Sequence, residues 1–143
     1  MRFILDTNVL VAGLRSPNGA SAALLKLVLA DKIKPIASVP LFLEHEAVLL
    51  RPKHLLAAQL AEAQVTNFLD VFAGLVEPTE IFYLWRPQLK DADDDMVLEA
   101  AVNGQAAIIV TFNTADFLPA AARFKLKLML PSLFLKELQH GHK

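Results

Sequence analysis

Five consecutive apolar residues, Ala106-Ala107-Ile108-Ile109-Val110, constrain this chain more than any other feature. A strand with one wet face alternates apolar and polar residues. A short run that is apolar at every position has to be covered on both faces, which is the habit of parallel sheets flanked by helices. Phe3-Ile4-Leu5 is a second such run, stopped by the polar Asp6-Thr7-Asn8. Residues 35–39 and 126–130 read as two more strands. The stretches between them have helical spacing. Residues 20–30 place Ala20, Ala23, Leu24, Leu27 and Val28 on one stripe. Pro40 opens a helix to about Leu50, with Ser38 as a cap, and Arg51-Pro52 interrupts it. Residues 55–75 read as one helix ending near Gly74, residues 91–95 as an acidic loop, and residues 96–103 as a helix stopped by Gly104. Residues 80–89, with Phe82, Tyr83 and Trp85, read as an edge strand, and residues 131–138 as a final helix. Strands alternating with helices imply an α/β fold in three layers, with a central parallel sheet between helices.

The 143 residues fit one domain, expected over residues 1–138, with a disordered tail at 139–143. The absence of cysteine excludes disulfides and a thiolate zinc site. No apolar run approaches the ~18 residues of a membrane helix, and Asp6 falls where the apolar part of a signal peptide would build. A cytoplasmic chain that does not enter the membrane is the expectation. Hydrophobic residues are 55% of the chain, an excess that suits a heavily covered sheet and an oligomer or partner surface. The net charge is −1, so any contact with nucleic acid has to come from a local basic cluster or a bound cation.

Four acids are placed alike. Asp6 directly follows the first strand, Glu44 lies about a turn into the helix after the second, Asp94 precedes the helix leading into the 106–110 strand, and Asp116 follows that strand within one loop. Ligands of open parallel sheets bind beyond the carboxyl ends of the strands, where strand order reverses. With the first strand central, the four acids converge there. Converging carboxylates repel unless a cation sits among them, and hard ions such as Mg²⁺ or Mn²⁺ take oxygen ligands. Such a site suits phosphodiester hydrolysis. Each acid alone also has an ordinary explanation. Asp6 can cap the next helix, Asp94 can do the same beside Asp93 and Asp95, Asp116 can brace a turn, and Glu44 can be solvated like Glu46. Joint placement at one sheet edge is what favours the site.

At these residues the chain resembles the PIN-domain family, in its small prokaryotic toxin-like branch. Phe3-Ile4-Leu5-Asp6-Thr7-Asn8-Val9-Leu10 is similar to the family's opening motif, and residues 38–50 followed by Arg51-Pro52-Lys53 to its second, with the glutamate at Glu44. Asp91-Ala92-Asp93-Asp94-Asp95 resembles the third, with alanine in place of a common proline. Ile109-Val110-Thr111-Phe112-Asn113-Thr114-Ala115-Asp116-Phe117 resembles the fourth, with asparagine at position 113 where many relatives carry an acid. Leu130-Pro131-Ser132-Leu133-Phe134-Leu135 resembles the branch's ending. The resemblance implies Mg²⁺- or Mn²⁺-dependent cleavage of RNA. Asp6, Glu44, Asp94 and Asp116 would be the metal-binding, catalytic carboxylates, and Thr7, Asn8, Thr111 and Asn113 would support them and their waters. It also implies a toxin restrained by an antitoxin protein, and a homodimer or higher homo-oligomer.

Arg15, Arg51, Lys53 and His54 are candidates for RNA phosphates, and Trp85-Arg86 for stacking on a base; solvated charge and an edge or dimer contact are their ordinary alternatives. His45 reads as a packing or surface histidine. Two rival functions remain: a PIN-like binding module without activity, and phosphoryl transfer through Asp6, against which Asn8 counts because haloacid-dehalogenase-like enzymes carry aspartate there.

Overall fold

The computed structural model describes residues 2–82 and 92–141. One sheet of five parallel strands runs through it: β1 (Phe3–Leu5), β2 (Ile36–Ala37), β3 (Glu77–Pro78), β4 (Ile108–Val110) and β5 (Lys127–Met129), in the order β3-β2-β1-β4-β5. β1 is central, with Ile4 opposite both Ile36 and Ile109. Among the described residues eight helices accompany the sheet: α1 (Thr7–Arg15), α2 (Ala20–Leu29), α3 (Val39–Leu49), α4 (Pro52–Ala58), α5 (Glu62–Ala73), α6 (Ala92–Asn103), α7 (Thr114–Phe124) and α8 (Pro131–Gly141).

The continuous apolar strands serve two cores at once, because successive side chains leave opposite faces. Phe3, Leu5, Ile108 and Val110 pack on one face with Leu24, Val28, Leu69, Phe72 and Phe134. Ile4 and Ile109 pack on the other with Ile36, Leu41, Val97, Ala100 and Phe117. This is a three-layer α/β/α sandwich, as expected. α1 and α2 approach so closely that a Cβ on Gly13 would run into Leu25. No helix among the described residues is long and apolar enough to cross a membrane.

Several elements differ from the sequence expectation. Residues 55–75 hold two helices, α4 and α5, broken where Gln59 turns left-handed at φ 56°. The acidic segment belongs to α6, so Asp93, Asp94 and Asp95 form its first turn, where negative charge suits the helix dipole. Asp116, expected in a loop, lies in the first turn of α7, and α8 runs to Gly141, with His140 in its last turn, so the expected tail is helical through residue 141. Of the expected edge strand at 80–89, residues 80–82 are described and are not in a strand; the rest of it, the Trp85-Arg86 pair and residues 142–143 lie outside the described residues.

Candidate active site

Asp6 is the first residue after β1. Its backbone N–H donates to the Val110 carbonyl at 2.9 Å, extending the ladder to β4 by one rung. It occupies the N-cap position of α1, yet its side chain makes no capping hydrogen bond. Instead Asp6 Oδ2 accepts from the Thr111 hydroxyl at 2.7 Å, and both residues are buried. Thr111 Oγ1 in turn accepts from the Asn113 backbone N–H at 2.9 Å, which leaves the hydroxyl hydrogen directed at Asp6. Asn8 Oδ1 reaches the Phe112 N–H at 3.5 Å, the longest contact of this junction. The turns after β1 and β4 are thus bonded together, and the carboxylate is held in one rotamer.

Thr7 is tied to the neighbouring helix. Its hydroxyl shares a 2.8 Å hydrogen bond with His45 Nδ1, a pair buried between α1 and α3. Burial holds the His45 pKa at about 3, against its ordinary 6.5, so the ring is neutral. Ser38 starts α3 by accepting from the Leu41 N–H at 3.2 Å. Glu44 therefore sits half-buried one residue before an anchored histidine, on a helix packed against both α1 and α6.

α6 packs against β1 and α3, and it carries more buried acid than sequence suggests. Asp94 is buried, and so are Asp95 and Glu99. Asp95 and Glu99 stand four residues apart, hence on one stripe of the helix. The signal for them was available in that spacing, but it is readable only once the helix is known to begin at Ala92. Asp116 is the outlier: it is exposed in the first turn of α7, and among the described residues its carboxylate has no hydrogen bond or ion pair.

The candidate acids Asp6, Glu44, Asp94, Asp95 and Asp116 offer carboxylate oxygens. His45 is engaged with Thr7, and there is no cysteine. Among the described residues no three His, Cys, Asp or Glu side chains already form a group that could hold a metal ion. The chemistry of the donors nonetheless fits Mg²⁺ or Mn²⁺: Mg²⁺ keeps several waters and is held through one or two carboxylates plus substrate phosphate, without a protein cage.

A family model described as PIN domain matches residues 2–115. The match contains Asp6, Glu44 and Asp94 and stops one residue short of Asp116. No curated protein matches the chain.

Proposed function

Since the chain belongs to the PIN-domain family, whose fold is generally that of a nuclease hydrolysing phosphodiester bonds, we propose that this member is an Mg²⁺- or Mn²⁺-dependent endoribonuclease. The observation that carries the reading is Asp6: a buried carboxylate at the carboxyl edge of the central strand that forgoes capping its own helix and is held by Thr111. Asp6 and Asp94 would hold the ion, with Glu44 and Asp116 completing the site directly or through waters; Asp95 joins them as a candidate because it is buried in the same turn as Asp94. When bound, the ion supplies a water of lowered pKa and offsets charge building on the phosphate oxygens. The chain's own work is to keep that water's neighbours fixed. Thr111 orients Asp6, the Asn113 N–H orients Thr111, and the Thr7–His45 bond sets α3, with Glu44, against α1.

The test is hydrolysis of a generic single-stranded RNA by the wild type, with Mn²⁺ and with chelator. Cleavage confined to the Mn²⁺ reactions supports the reading, and none in either condition favours the binding module. That second reading has its own support in the exposure of Asn113 and Asp116. Phosphoryl transfer through Asp6 would instead leave a covalent phospho-aspartate that can be trapped.

We read the biological role as that of a cytoplasmic toxin paired with an antitoxin protein, in a homodimer or higher oligomer. Val39 and Leu43 on α3 support a partner surface: they lie one turn apart and are 71% and 55% exposed. Light scattering on the protein purified alone should give more than a monomer's mass.

A further inference from the structure

Arg15 ends α1, and Arg51, Lys53 and His54 begin α4, 36 or more residues away in sequence. The fold brings them together: Arg15 Nη2 lies 3.5 Å from His54 Nδ1. Partial burial, and then the positive charges of Lys53, Arg15 and Arg51, hold the His54 pKa below its ordinary value. The usual reasons for surface cations do not cover this group. Among the described residues, none of Arg15, Arg51 and Lys53 has a carboxylate partner. Arg51 and Lys53 also stand at the start of a helix, where its dipole disfavours positive charge. A chain of net charge −1 has therefore gathered, at one exposed spot, cations that have no ion-pair partner among the described residues.

The spot has a fixed relation to the acidic edge. α1 starts beside Asp6 and ends at Arg15, nine residues or ~13 Å of helix later, which is roughly four stacked nucleotides at ~3.4 Å each. α3 and α4 pack on the same α1, so the chain carrying Glu44 leads into Arg51 and Lys53. We propose that Arg15, Arg51, Lys53 and His54 form a subsite for a backbone phosphate of single-stranded RNA, a few nucleotides from the bond to be cut; this rests on the nuclease reading. Guanidinium groups suit phosphate through paired N–H donors, and no base is read there, so the subsite adds affinity and register without sequence preference.

The test measures binding of a fluorescent 12-nucleotide RNA in chelator, where hydrolysis is suppressed, across a salt series. It compares wild type, the triple variant Arg15→Gln, Arg51→Gln, Lys53→Gln, and a control with equal charge removed elsewhere, Lys32→Gln, Lys125→Gln, Lys136→Gln. All six side chains are exposed, so melting temperatures should agree within a few degrees. The expected result is binding weakened about tenfold or more in the triple variant, with a salt slope smaller by about 2, and little change in the control. Equal weakening in both variants would mean a diffuse field and overturn the subsite. A poly-glutamate peptide that competes as well as RNA would assign the patch to an acidic protein segment and overturn it too. A wild type that cuts RNA in Mn²⁺ while the triple variant binds normally leaves the nuclease reading standing and removes only the subsite. Cluster-dependent binding without cleavage does the reverse.

Discussion

Asp6 and Asp116 follow neighbouring parallel strands of one sheet, near the start of a helix each, and they end up in opposite circumstances. Asp6 comes one residue after Leu5, is buried, and accepts from Thr111; Asp116 comes six residues after Val110, is exposed, and has no such partner among the described residues. Position after a strand is therefore not enough to bring a side chain into the junction. The residue directly beyond the last ladder rung is constrained by that rung, as the Asp6 N–H to Val110 bond shows. A residue in the next helical turn is free to face water.

That contrast can be broken by substitution. The largest effect should come from Asp6→Asn, which keeps shape and hydrogen-bonding capacity but removes charge: RNA cleavage should drop by at least ~100-fold, with the melting temperature unchanged or higher because carboxylate repulsion is relieved. Asp116→Asn, assayed alongside, should lose far less. Equal losses would erase the distinction between the two.

Thr111→Val should come next. It removes the hydroxyl that holds Asp6 while keeping the volume, so cleavage or metal affinity should drop by roughly 10–100-fold. A metal titration that gives wild-type affinity, together with wild-type cleavage, would show that Asp6 needs no such support.

A smaller effect concerns His45, the buried partner of Thr7. With its pKa held at about 3 by burial, His45 binds fewer protons folded than unfolded between pH 3 and 6.5. Its contribution to stability is full above pH 6.5 and declines as the pH falls through that value, by up to ~1.4 kcal/mol per unit. His45→Asn keeps a polar group near Nδ1 without the titration. Denaturant unfolding at pH 6.5 and 5 should show the wild type losing stability relative to this variant, and parallel losses would mean that the ring is not held neutral.

Much of this arrangement is legible in the sequence. β1 and β4 were plain, since runs like Phe3-Ile4-Leu5 and Ile108-Ile109-Val110 have only one comfortable place, the middle of a covered sheet. Asp6 was plain as a residue bound to that strand. β3 was not, because Glu77-Pro78 is two residues long and partly exposed, with no apolar pattern to read. α7 was hidden by Pro119 inside it, and the break at Gln59 by the absence of glycine there. Charge misled most in α6. Asp95 and Glu99 look like solvated acids, and only the packing of α6 against β1 and α3 buries them. The Thr7–His45 bond joins residues 38 apart, and no local rule pairs them.

The central claim is that Asp6 and Asp94 hold a divalent cation at the carboxyl edge of β1. Isothermal titration of Mn²⁺ into the wild type and into the Asp6→Asn, Asp94→Asn double variant tests it most directly. The wild type should bind saturably, and the double variant should lose binding while still unfolding cooperatively; equal binding by both proteins would contradict a cation held by Asp6 and Asp94.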